Sequence, residues 1–220
     1  MRIDFVSDVA CPWCAIGLSA LERALERVGA DIGEVEIHMQ PFELNPAMPP
    51  EGADAEEYMT TKYGLSPEQL AVNRARIVER GAKEGFVFGE RTRVWNTFDA
   101  HRLLFWAGAE GAPGTQRELK HALLRAYHGE GRNPAAHDVL LELAGEAGLD
   151  VERAREVLER GEFTEAVRQA EAFWQGLGIH SVPAVIIDRR YLISGGQPSE
   201  LFEQALRDIA AEADDRPKDD

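Results

Sequence analysis

Thiols are scarce in this chain: 220 residues contain two cysteines, Cys11 and Cys14. Two cysteines cannot build the disulfide framework that staples small secreted domains. A bridge across two intervening residues would also close a tiny loop and constrain the unfolded chain little. Long apolar runs are lacking as well, and a run such as Val182–Ile187 is far too short to span a bilayer. The charged n-region and long h-region of a secretory signal are missing, and a strand-like run begins almost at Met1, so the expected location is cytoplasmic. Basic charge is in deficit: 24 Lys and Arg stand against 39 Asp and Glu, a net charge of −15. Such a chain repels phosphate backbones and anionic bilayers, so neither nucleic acid nor a membrane is an expected partner.

What is present suffices for a core, with 44% hydrophobic and 29% charged residues. The length suits one large domain, or a core domain with a sizeable insertion. Arg2–Asp8 reads as a strand, 12–29 as a helix with Leu18, Leu21, Leu25 and Val28 on one face, and Val35–Phe42 as an alternating strand that Pro41 ends or edges. The Pro- and Gly-rich segment 45–54 leads out of this βαβ half, and everything from about 54 to 176 reads as helical. Ser66–Gln69 and Thr115–Glu118 match capping boxes. Asp138 and Asp150 are expected N-caps, and Gly148 and Gly161 expected helix ends. Trp95, Phe105, Trp106, Phe173 and Trp174 are expected in a helical core. Residues 184–188 and 191–196 then read as strands around an Arg-Arg turn, and 198–212 as a closing helix with Leu201, Phe202, Ala205, Leu206 and Ile209 on one side. The order βαβ, helices, ββα predicts an α/β fold with a discontinuous core domain (1–50 and 177–212), a helical insertion domain (51–176) and an acidic tail (213–220).

Cys11-Pro12-Trp13-Cys14 falls between the first strand and the first helix. Pro12 suits the first helical position, where its missing N–H would have no partner. The free N–H groups and dipole of a helix start favour an anion, so a Cys11 thiolate is expected to be more stable than a free thiol, which titrates near about 8.5. Cys14, one turn further in, reaches the same sulfur but is more covered. This arrangement suits dithiol–disulfide exchange, with Cys11 attacking and Cys14 resolving. A zinc site would need two more ligands, and the six histidines offer no evident pair beyond scattered helical spacings, so no metal is expected. Asp8 tunes the thiol, shuttles a proton or caps the strand end.

SDVACPWCAIG, QPFELNP (40–46), KYG (62–64), NTFDAHRLL (96–104), AYHGEGRN (126–133), GIHSVPAVIID (178–188) and SGGQ (194–197) together resemble the DsbA-like thioredoxin-fold proteins of the FrnE type, over about residues 3–210. These neighbour the 2-hydroxychromene-2-carboxylate isomerases and the kappa-class glutathione transferases. The resemblance implies a thioredoxin fold interrupted by a helical domain, and thiol–disulfide oxidoreductase activity. It places Pro183 in a cis-proline loop facing the CxxC, with the backbone of Val182 presented to an incoming chain; spacing alone leaves an ordinary trans proline open. It also puts Asn96, Thr97 and His101 near the active groove. There His101 assists proton transfer or lines the site, against a plainer reading of helix capping by Asn96 or Thr97 and a packed histidine. Phe42 and Asn45 join the groove by the same resemblance. Ser181 stands where the family mostly has Gly, with a hydroxyl able to crowd or bond near the sulfurs, and Ala15 stands where an aromatic is usual.

The expected substrates are disulfide- or thiol-bearing proteins, peptides or small thiols. No cofactor is expected to bind tightly, glutathione is an allowed co-substrate, and the chain is a monomer or a homodimer. Two other functions fit the same residues: a glutathione-dependent isomerase or transferase acting on an aromatic small molecule, and a non-catalytic peptide-binding, chaperone-like module.

Overall fold

A computed structural model describes residues 1–214. Strand β1 (Arg2–Ser7) is followed by helix α1 (Pro12–Val28), strand β2 (Glu36–Pro41), then β3 (Ala53–Asp54), α2 (Ala55–Tyr63), α3 (Pro67–Lys83), β4 (Arg93–Val94) and α4 (Phe98–Glu110). The chain continues through α5 (Thr115–Leu124), a π-helical turn (Arg125–Gly129), α6 (His137–Glu146), α7 (Val151–Glu159), α8 (Thr164–Gly176), strands β5 (Ala184–Ile187) and β6 (Tyr191–Ser194), and α9 (Ser199–Asp214). The main sheet has the order β2-β1-β5-β6, with β1 parallel to β2 and every other pairing antiparallel.

The period of two along β1 separates two packing faces. Ile3 and Phe5 join Leu18 and Leu21 of α1, Val185 and Ile187 of β5, and Phe202 and Leu206 of α9. Val6 points to the other face, with Phe42, Trp174, Ala184 and Ile186. A central strand buried on both sides is thereby sandwiched between helices. A second cluster, built from α4 to α7, centres on Leu103, Trp106, Leu123, Leu140 and Val157 and also takes in Val9 and Ala10 from the turn after β1. The turn that carries the cysteines is therefore held from both cores. The α2–α3 pair is different: α2 has no buried residue and α3 only Gly81.

Several local expectations need correction. The 54–176 region is not wholly helical, because β3 and β4 pair as a small antiparallel ribbon that ties together the two ends of the α2–α3 excursion. The capping box at Ser66–Gln69 is present, but Thr115 is the first helical residue of α5 and its hydroxyl donates to the Ala112 carbonyl instead of capping. Asp138 lies inside the first turn of α6, whose N-cap is Ala136. Asp150 does cap α7, accepting from the N–H groups of Glu152 and Arg153. Gly148 and Gly161 follow α6 and α7 with φ of 78° and 65°, the left-handed conformation that ends a helix. Phe173 and Leu201 are 58% and 43% exposed, because each sits one residue off the stripe its helix buries. Trp174 packs on the sheet, not in the helical core. Helix α9 runs to Asp214, so the first two residues of the expected tail are helical and 215–220 lie outside the described residues.

Candidate active site

β1 ends at Ser7 and α1 begins at Pro12, leaving Asp8–Cys11 as a tight turn closed by the Cys11 N–H donating to the Asp8 carbonyl at 3.3 Å. Cys11 is the N-cap of α1 with an extended backbone (φ −89°, ψ 113°), and Pro12 takes the first helical position. Both thiols are free, and both are buried, Cys11 at 4% and Cys14 at 0% exposure. Burial, first, and the neighbouring Cys11 sulfur push the Cys14 thiol well above its ordinary range, against the opposing effects of Lys120 and the Asp8 backbone N–H.

The C-terminal half of the sheet supplies the facing wall. The Val182–Pro183 peptide bond is cis, and the Cys11 Sγ lies 3.6 Å from the Val182 carbonyl oxygen. Pro183 in turn rests on Gly17 of α1, where a Cβ would come 3.0 Å from the proline ring. Gly196 is pressed against the backbone oxygen of half-buried Trp13. Ser181 is exposed, and among the described residues its hydroxyl bonds to neither sulfur.

Asp8 holds the turn at the end of β1 through both of its carboxylate oxygens. One oxygen accepts from the Ala10 N–H (3.1 Å) and the Thr97 hydroxyl (2.8 Å) and lies 3.2 Å from His101 Nε2; the other accepts from the Leu44 N–H at 2.7 Å. Burial raises the Asp8 carboxyl, but His101 and the two backbone N–H groups outweigh it and hold it below the usual aspartate range. Thr97 and His101 are thus brought to the dithiol's support, at 3% and 1% exposure. Asn96 is not. Its side chain caps α4 by accepting from the Phe98 N–H and ties back to the Met48 carbonyl.

A cavity of about 520 Å³ opens beside Pro12, lined among others by Leu70, Ile77, Phe88, Arg91 and His128. None of Phe42, Asn45, Asn96, Thr97 or His101 lines this cavity. Phe42 is packed under the sheet, and the Asn45 amide oxygen is taken by Tyr58 and Lys62. The cavity is instead walled by the α2–α3 pair, whose sparse burial on the core side leaves its apolar residues free to face it.

Two functional-looking residues escaped the sequence reading. His128, in the π-helical turn, is buried and its Nε2 lies 2.8 Å from the Val9 carbonyl, so that nitrogen carries the proton; burial first, and Arg91 second, lower the ring to about 3 and keep it neutral. Lys120 is 1% exposed and makes no hydrogen bond or ion pair among the described residues; burial lowers its ammonium, against the charges of Cys14, Asp8 and Cys11. Its signal was a lysine on the apolar stripe of TQRELKHALLRAY, one helical turn from Leu123 and Leu124. His128 lay within the AYHGEGRN motif.

A DSBA-like thioredoxin domain model matches residues 2–207. The chain belongs to the DsbA-like thioredoxin family. Across 100% of this chain and 93% of the other it is 35% identical to a probable DsbA oxidoreductase of Streptomyces coelicolor, with a TM-score of 0.89. The uncharacterized protein YwbO of Bacillus subtilis is 27% identical over 94% of this chain and 96% of that protein. The cytosolic disulfide reductase DsbM of Pseudomonas aeruginosa, solved with glutathione, shares the fold at a TM-score of 0.63 and 21% identity, covering 97% of this chain and 98% of that one. As a DsbA-like protein, the chain carries its dithiol at the helix start, opposite the cis-proline loop.

Proposed function

We propose that this protein exchanges thiols and disulfides through Cys11 and Cys14. The observation that carries the reading is the position of Cys11: N-cap of α1, with its sulfur 3.6 Å from the Val182 carbonyl and a more deeply buried thiol behind it. The unpaired N–H groups of a helix start favour the anion that attacks. Cys11 Sγ forms a bond to one substrate sulfur, the substrate S–S bond breaks, and the first thiolate leaves. Cys14, held protonated by burial until then, loses its proton and attacks Cys11 Sγ, releasing the second thiolate and leaving a Cys11–Cys14 disulfide. Two electrons pass to the substrate, and an external thiol donor returns them. Asp8, Thr97 and His101 fix the turn; Lys120 and Asp8 lie where the Cys14 proton is lost. Protein disulfides, peptides and small thiols, glutathione among them, are proposed reaction partners, with no tightly bound cofactor.

We place this reaction in the cytoplasm, as for the cytosolic Pseudomonas reductase, where the thiol pool keeps such pairs reduced and the net direction is reduction. The test is reduction of insulin with a dithiol donor. Turnover should vanish in Cys11→Ser, whereas Cys14→Ser should accumulate a mixed disulfide at Cys11. An active Cys11→Ser protein would sink the proposal.

A further inference from the structure

The chain carries a large excess of carboxylates, and its arginines are mostly held by them: Arg2 by Asp4, Arg102 by Asp99, Arg132 by Glu142, Arg207 by Asp31. Around the dithiol the pattern breaks. Arg74, Arg76, Arg80 and Arg91 form no ion pair with any described residue. Arg91 donates to the Ala10 carbonyl next to Cys11 at 3.5 Å and to the Tyr127 hydroxyl at 2.9 Å. The Arg76 guanidinium lies 5.7 Å from the centre of the Trp13 ring. Arg80 donates to the Gly196 carbonyl at 3.3 Å, and Gly196 abuts Trp13. Arg74, on the cavity wall, donates to the Gly89 carbonyl at 3.4 Å. These partners are neutral and leave the positive charges uncompensated. Three carboxylates also line the cavity: Asp54, which is committed to capping α2, and the exposed Glu56 and Glu90. None of them pairs with the four arginines. Eleven of the nineteen described arginines pair with a carboxylate; of the eight that do not (Arg23, Arg74, Arg76, Arg80, Arg91, Arg93, Arg189 and Arg190), four gather around the dithiol and its cavity, which marks a site built to receive negative charge.

We propose that the preferred substrates are small disulfides bearing carboxylates close to the sulfurs, with the anion on this arginine array and the sulfur at Cys11. The cavity of about 520 Å³ has the size of a low-molecular-weight ligand site. The inference rests on the redox reading above. The step is the same exchange: the Cys11 thiolate bonds to one sulfur of the small disulfide, its S–S bond breaks, and a carboxylate-bearing thiolate departs.

The test uses the reduced full chain and three disulfides of similar size: dithiodipropionate (dianionic), hydroxyethyl disulfide (neutral) and cystamine (dicationic). Each single-turnover rate of Cys11 oxidation is divided by that of dithiothreitol with the same disulfide, removing intrinsic reactivity. The expected anion-to-cation ratio is about tenfold or more at low ionic strength. It should fall towards one near 1 M salt, where charges are screened within about 3 Å. Arg74→Gln with Arg76→Gln should cut the ratio at least about threefold, and Arg189→Gln, at the far end of β5, should leave it unchanged. A ratio of one or below, which the net charge of −15 by itself would produce, overturns the proposal. So does an equal slowing of all three disulfides in the double variant, which would assign the arginines to the Cys11 thiolate alone. No reaction with any probe would remove the redox reading itself, and this inference with it.

Discussion

The Asp8 carboxylate and the Nε2 of His101 lie 3.2 Å apart, joining the turn before the dithiol to the first turn of α4 across 93 residues of sequence. Both are buried, and Thr97 donates to the same oxygen. Asp8→Asn should destabilise the fold by about 1–3 kcal/mol at neutral pH, the cost of mispairing a buried polar group. The folded Asp8 carboxyl is held below its ordinary value, so its contribution is complete above about pH 4 and is lost as pH falls through the folded value. Urea midpoints of the two proteins should therefore converge on acidification. A gap that persists unchanged to pH 2 would refute the role.

Lys120 combines burial with the absence of any bonded partner among the described residues. Lys120→Met should raise stability, because a buried amino group with no bonded partner is costly and methionine fills similar space. It should also slow release of the mixed disulfide by about a hundredfold, the lower end of what a positioned proton acceptor contributes. Stopped-flow measurement of the second exchange step checks this. A stabilised variant with an unchanged rate would leave Lys120 without a part in the chemistry.

Gly17 lets α1 approach the cis-proline loop. An added Cβ would meet the Pro183 ring at 3.0 Å, and a proline ring cannot swing aside. Gly17→Ala should displace the Val182 carbonyl from Cys11 and lower insulin reduction with little loss of helix content. Gly176→Ala, where no atom lies within 4 Å, should leave activity intact. Equal activity in both variants would argue against any function for that close contact.

Glu43 and Glu171 are both buried beside Arg168, and each retains one oxygen without a partner. Burial raises both carboxyls, against the pull of Arg168. A raised folded value favours the fold at low pH and loses that advantage as pH rises through it. Glu171→Gln should thus be more stable than the parent at pH 8, by about 1 kcal/mol, with the difference vanishing near pH 4. Thermal melts at the two pH values decide; a destabilised variant at pH 8 would show that the negative charge on Arg168 matters more than the unpaired oxygen.

The CPWC stretch, its helix and the ββα ending were readable because their signals are local. Proline after the N-cap, a 3.6-residue apolar stripe and a short β-branched run each act within one element. Thr97 and His101 were legible as candidates through the NTFDAHRLL motif, but their partner was not, since nothing in the 90s points to residue 8. The surroundings of Phe42 and Asn45 were not legible for the same reason: the QPFELNP motif does not name Trp174, which packs with Phe42, or Tyr58 and Lys62, which bond Asn45.

The sequence by itself determined a dithiol at a helix start in an acidic chain with a thioredoxin-like order of elements. It did so because helix caps, periodicity and charge are properties of neighbouring residues. Only the tertiary structure decided what surrounds the sulfurs. It brought Val182 to Cys11, Asp8 to His101, and buried Lys120 behind Cys14. It also opened the cavity on the α3 side, where four arginines stand without carboxylates. Such placements come from packing two cores around one turn, and the side chains that meet there are some 90 to 170 residues apart.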